Sequence, residues 1–412
     1  GIPMKKLLSL LVMFSLLLSG AALAEEGEVI ELRFQRIGND AAETEFWKSV
    51  IADYEAANPG VKILYDDAAI GDAMDAKLNT LFAANYGPDI IGHGILSVAQ
   101  RADLGHYIPI DEYFATWEDG DDMMESVLAN GTYKGQLYGL GYSATPYVFA
   151  YRIDLLEEAG LEVPTTWEEL KEAALALTVR DDAGNITRAG FAFPMTGGNM
   201  VEYDVFVFGN GGLFMDEDSN PTLDTAEALE AFEFLETFLA DVNIPYDNND
   251  TNPFISGNAA MTLINNVALR PILENEEYAG KVGVSAPPTN GTAATFCGCN
   301  MLFIGRDCQH PEEAFDFITF ALSPEIELRR AEMLNVPVTR TSLVDAYIEL
   351  DPYNAARAEC VEIGVGMPRA IWSTQFQTIR NEMVQKVLFG ESDPATALSE
   401  AQEKLEEEIE FL

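Results

Sequence analysis

The strongest constraint on the fold is an alternation between residues 29 and 93. The run "VIELRFQRI" is extended and β-rich, and after it Phe46, Trp47, Val50, Ile51 and Tyr54 share one helical face. Pro59 and Gly60 end that helix, and "VKILY" is extended again. Residues 72 to 84 then carry Met74, Leu78, Leu81 and Phe82 on one helical face, before the short apolar strand "PDIIGH". Strands this short, joined through helices, build a parallel sheet by right-handed crossovers, and such sheets take ligands beyond the carboxyl ends of their strands. Gly38, Asn39 and Asp40 follow the first strand and His93 closes the third, so these residues are expected at a cleft. Asn39 and Asp40 are also the residue types that cap helices.

The chain before this unit reads as an export leader. Lys5 and Lys6 precede a mostly apolar stretch from Leu7 to Leu18, then small residues with Ala22 and Ala24 placed for cleavage before Glu25. The apolar core is too short to span a bilayer as a helix. Leu18, Ser19 and Gly20 look like the start of a lipoprotein signal, but Ala21 stands where the lipidated cysteine belongs, so no lipid anchor is expected. The predicted location is periplasmic or otherwise extracytoplasmic.

Charge narrows the partners. The chain has 68 acids against 24 bases, a net charge of −44, and the leader removes only two of the lysines. Such a field repels nucleic acid and anionic lipid. Four cysteines (Cys297, Cys299, Cys308 and Cys360) lie in the last third of the chain. In an exported protein one or two disulfides are expected rather than metal, with pairing left open and buried free thiols as the alternative. Three histidines, at 93, 106 and 310, argue against a multi-histidine metal site. Asp216, Asp218 and Asn220 in "MDEDSNPTLD" could hold calcium, but a solvated hairpin tip is the expected reading because the central glycine of an EF-hand loop is missing. No cofactor motif is present.

Near residue 140 the pattern changes to two extended runs broken at Ser143 to Pro146. In "VPTTWEELKEAALAL" Thr166 and Glu169 form a capping box, which assigns Trp167 to structure, and residues 225 to 240 read as an amphipathic helix. "KVGVSAPP" and "TFCGCNMLFIG" are extended, and the last seventy or so residues are mostly helical.

The stretches "FWKSVIADYEAANPGVKI", "GPDII", "YGLGYSATPYVFAYRIDLLEEAGLEVPTTWEEL", "FISGNAAM", "HPEEAFDFITFALSPE" and "MPRAIWSTQFQTIRNEMVQKVLFGESDPATALSEAQEKL" occur in an order and spacing that resemble the family 1 extracellular solute-binding proteins of ABC importers, the group containing maltose-binding protein. The resemblance implies an α/β, two-lobed, type II periplasmic-binding-protein fold, each lobe a mainly parallel sheet flanked by helices, with the ligand cleft between lobes. It implies a first lobe of residues 25–142 and 287–336 and a second of 143–286 and 337–412, with crossings near Ser143, Pro287 and Pro337. It further implies a monomer that captures a small polar solute, a mono- or oligosaccharide above all, by lobe closure and delivers it to a membrane permease without chemistry. A secreted carbohydrate-cleaving enzyme and a binder of non-sugar solutes are the alternatives. Carried over by position, the binding residues are Asn39, Asp40, Glu43 and His93 from the first lobe, and Glu202, Tyr203, Asn265 and Asn266 from the second, with Trp372 and Phe376 as stacking rings. Val267 and Ala268 stand where maltodextrin-binding relatives carry a tryptophan, so one stacking plate is missing.

Overall fold

The computed structural model describes residues 27–38, 40–68 and 71–412. The leader and Asn39 lie outside the described residues. One eight-stranded sheet runs through the molecule. Its strands are β1 (Ile30–Ile37), β2 (Val61–Ala68), β3 (Ile90–Gly94), β4 (Gly139–Arg152), β5 (Met261–Asn265), β6 (Val282–Ser285), β7 (Thr295–Ile304) and β8 (Gly364–Val365). The main path is β6-β4-β7-β3-β1-β2, with β5 on β4 and β8 on β7. The helices used below are α1 (Ala41–Ala57), α2 (Asp72–Ala83), α3 (Trp167–Leu177), α4 (Val201–Gly209), α5 (Ala226–Glu236), α6 (Pro311–Ala321), α7 (Pro324–Leu334), α8 (Asn354–Glu362), α9 (Ser373–Leu388) and α10 (Pro394–Ile409).

The β-α-β-α-β start folds as the alternation requires, with β1 parallel to both β2 and β3. Beyond it the sheet is mixed. β7 runs antiparallel to β3 and to β4, and β4 runs antiparallel to β5 and β6. Continuous apolar strands such as β4 and β7 carry no periodicity that reports direction, so a mainly parallel description holds for β2-β1-β3 and for the short β7-β8 pair alone.

The extended run from Gly139 does not break at Ser143 to Pro146. It continues as one 14-residue strand that changes partners. Residues 139 to 146 pair with β7, and from Tyr147 onward the strand pairs with β5, joined by β6 from Phe149. Pro146 has no N–H to donate, which suits it to the point of exchange. In this stretch β4 carries one extra residue, Tyr142, where the register shifts opposite Asn300 and Met301 of β7.

Each half has its own aromatic packing. Phe34 meets Trp47 and Phe317 edge to face at 5.3 and 5.7 Å, which ties β1 to α1 and α6. In the other half Tyr203 of α4 stacks on Phe232 of α5 at 4.1 Å, and Trp167 of α3 stacks on Phe234 at 4.8 Å. Trp167 follows the Thr166–Glu169 capping box, both halves of which form. All nine residues of α4 are buried, including Glu202 and Asp204. The four cysteines are free thiols. The expected disulfides are therefore absent, and the pairing of Cys297 with Cys299 is ruled out by geometry, since residues two apart on one strand are roughly 7 Å apart, too far for a disulfide to bridge.

Candidate functional site

Two cavities of about 570 and 490 Å³ meet along a common wall made by Tyr147, Asn199, Asn265 and Gln377. Tyr147 and Asn265 are register partners on β4 and β5, so the sheet itself sets their separation. The Asn265 side chain accepts from the Val267 N–H at 2.9 Å, which turns the chain at the end of β5. Asn199 precedes α4 and accepts from Arg380 of α9, while its carbonyl accepts from Asn248 at 3.0 Å. Gln377 reaches the Gly198 carbonyl at 3.3 Å.

The larger cavity is completed by Glu202, Tyr246 and the polar run Asn248 to Asn252. Asn252 donates to the Tyr246 hydroxyl at 3.1 Å and to Thr262 at 2.9 Å, which fixes the Tyr246 ring in the wall. Glu202 is 5% exposed, and its Oε2 has no hydrogen-bond partner. Burial pushes the Glu202 carboxyl up to about 8. The neighbouring cation, Arg380, is already engaged by Asp204, Asn199 and Asn381.

The smaller cavity adds a wall from the first half: Gly71, Asp72 and Asp75 at the start of α2, His93 to Ser97, Gln100, and Asn300 of β7 beside the register shift. His93 Nδ1 accepts from the Gly94 N–H at 2.8 Å, which leaves Nε2 carrying the hydrogen it donates to Asp75 at 3.0 Å. Arg101 donates to the same Asp75 oxygen at 2.8 Å. Burial works against the Asp75 carboxylate, but the bonds from His93 and Arg101 outweigh it and hold its pKa down to about 2. Gln100 donates to Thr374 of α9 at 3.2 Å, a contact between the two walls.

The residues singled out from sequence fall into distinct places. His93, Glu202 and Asn265 line the cavities. Tyr203, one step from Glu202, points into the core, where its hydroxyl donates to the Ala228 carbonyl at 3.2 Å. Asn266, one step from Asn265, is 1% exposed and accepts from Arg357. Trp372 and Phe376 are packed inside, Trp372 donating its indole N–H to the Ser219 carbonyl at 3.1 Å. Their helix does line the site, through Thr374 and Gln377 on its other face. Asp40 caps α1, accepting from the Glu43 N–H at 2.9 Å, and Glu43 pairs with the buried Arg36 at 3.0 Å. Neither lines the two cavities.

Sequence reading passed over Tyr147, Asn199, Tyr246, Asn252 and Gln377. The signal for part of this set was the run Asp247 to Asn252, six short polar residues in a row inside an otherwise apolar region. Among the described residues no cluster of acids, histidines and cysteines could hold a metal ion. Asp216 instead closes a turn, accepting from the N–H groups of Asp218 at 3.0 Å and Asn220 at 2.8 Å.

Comparison with known proteins adds lineage to this geometry. The family model for bacterial extracellular solute-binding protein matches residues 40–327. A mannitol-binding protein of Pseudomonas aeruginosa is 26% identical over 313 residues, 71% of this chain and 70% of the relative. An ABC transporter solute-binding protein from Thermotoga lettingae, solved with α-D-tagatose bound, superposes with a TM-score of 0.72 at 26% identity, covering 91% of this chain and 98% of that one. The sugar-binding protein MalE from Xanthomonas citri superposes with a TM-score of 0.82 at 22% identity, covering 92% and 96%, and shares the fold.

Proposed function

The chain belongs to the bacterial extracellular solute-binding protein family, and on that premise we propose that it captures a mono- or oligosaccharide, or a closely related polyol, between its two lobes and hands it intact to the permease of an ABC importer. Members of this family bind solutes, so this chain is a binding protein and not an enzyme. The observation that carries the sugar reading is the lining of the larger cavity, including the wall it shares with the smaller one, where tyrosine rings, amides and a carboxyl converge. Sugars offer an apolar C–H face and a rim of hydroxyls, and that lining offers Tyr147 and Tyr246 for the face and Asn199, Asn252, Asn265, Gln377 and Glu202 for the rim. His93 contributes its ring rather than its nitrogens, both of which are engaged. The tagatose and mannitol named for two relatives support the same class of solute.

Lobes of residues 25–142 with 287–336, and 143–286 with 337–412, are supported in outline by the change of partners along β4, although the exchange falls at Pro146 and Tyr147, a few residues beyond the boundary at Ser143. Backbone rotation at a few such residues closes the cleft, and solute favours closure by touching both walls. The leader exports the chain, Ala21 spares it a lipid anchor, and it works as a monomer outside the cytoplasm. No helix among the described residues is long and apolar enough to cross a membrane.

A thermal-shift screen over sugars and polyols tests the proposal. A true solute at a hundred times its Kd adds about 2.7 kcal/mol of stability, a shift of several degrees, and is recovered unchanged. A flat response across the screen, or conversion of the added sugar, contradicts it.

A further inference from the structure

The walls of the cleft hold acids and amides but no free cation. Among the described residues that line the two cavities there is no lysine and no arginine, and the one imidazole, His93, has both nitrogens occupied. Two guanidinium groups just behind the walls are already committed, Arg380 to Asp204, Asn199 and Asn381, and Arg101 to Asp75 and Asn79, while Arg369, which donates to the Met367 carbonyl at 3.4 Å, is not among the lining residues. Glu202 lines the larger cavity together with Tyr147 and Tyr246, and its buried Oε2 has no hydrogen-bond partner. A hydroxyl of an uncharged solute satisfies that oxygen. A carboxylate or phosphate brought to the same place loses its hydration with no cation to meet it. If Glu202 is ionised, like-charge repulsion adds to that loss, and if it is protonated the anion faces only dipoles. The net charge of −44 acts in the same direction at longer range.

We infer that the cleft selects uncharged polyhydroxylated solutes and rejects sugar acids and sugar phosphates of the same shape, with Glu202 as the specificity-determining group. The inference rests on the sugar reading above and adds the charge of the solute to it.

Calorimetric titration of the purified protein with matched pairs tests it: glucose with glucuronate, galactose with galacturonate, mannitol with mannonate, galactobiose with digalacturonate, and glucose with glucose 6-phosphate. Wherever the uncharged member binds, its anionic partner binds at least a hundredfold more weakly. At pH 9, where Glu202 is ionised, Glu202→Gln narrows that gap at least tenfold. An anionic member binding within tenfold of its partner overturns the inference and leaves the sugar reading standing. An unchanged gap in Glu202→Gln removes Glu202 from its role. Binding of neither member of any pair overturns the sugar reading and this inference with it.

Discussion

Replacing Trp372 with alanine separates a ring that holds the protein together from a ring that holds solute. Trp372 is 3% exposed, lies edge to face with Phe376 at 6.2 Å, and donates its N–H to the Ser219 carbonyl at 3.1 Å. A buried tryptophan removes roughly 150–250 Å² from water, which at about 25 cal/mol per Å² corresponds to about 4–6 kcal/mol. Ser219 sits at φ 65° in the turn closed by Asp216, so losing the indole also frees a strained turn from its anchor. Measured truncations of buried Phe and Trp to alanine cost about 3–5 kcal/mol, and a destabilisation of about 4 kcal/mol is expected here. At about 2 °C per kcal/mol in a chain of this size, the melting temperature falls by roughly 8 °C. Calorimetric melting measures that loss, and titration with the tightest-binding sugar measures affinity, which is expected to stay within about twofold. A variant that melts normally yet binds tenfold more weakly refutes the reasoning and returns Trp372 to the cleft wall.

Three further outcomes follow from the same geometry. Arg380→Met leaves Asp204 buried and unpaired and releases Asn199, so denaturant unfolding is expected to show a loss of about 3–5 kcal/mol together with weakened sugar binding. The Glu202 carboxyl is raised to about 8 in the fold, so its stabilising protonation is complete below its ordinary value of 4.5 and is lost as pH rises through 8. Glu202→Gln is therefore expected to be more stable than the parent by about 2–4 kcal/mol at pH 9 and to show a flatter stability–pH profile between pH 5 and 9, read by denaturant midpoints. The free thiols predict that protein unfolded without reductant reacts with four equivalents of a thiol reagent, and a count of two or none contradicts the structure.

The elements of this fold are more legible in the sequence than the faces they present. Periodicity places β1, α1, β2, α2 and β3, because each buries its apolar stripe in a short-range unit. The family resemblance, not periodicity, points to α4, β5 and α9 near the cleft, and it takes Tyr203 along with Glu202, Asn266 along with Asn265, and Phe376 in place of its neighbour Gln377. Which of two neighbours faces solvent is decided by partners far away in the chain. Phe232 claims Tyr203, Arg357 claims Asn266, and Phe214 packs against Phe376 at 5.1 Å. Tyr147 escaped for a related reason. Pro146 reads as the end of a strand, whereas the structure uses it inside a strand that changes partners. Four thiols in the last third of an exported chain suggest oxidation, but the structure keeps all four free, and a pleated strand holds Cys297 and Cys299 too far apart to bond.

Small-angle X-ray scattering tests the central claim most directly, with the purified protein measured alone and then with a saturating concentration of the sugar that calorimetry shows to bind most tightly. Closure of the two lobes on the solute predicts a smaller radius of gyration in the bound state and an unchanged molecular mass. A scattering curve that does not change while calorimetry shows the site to be full contradicts it.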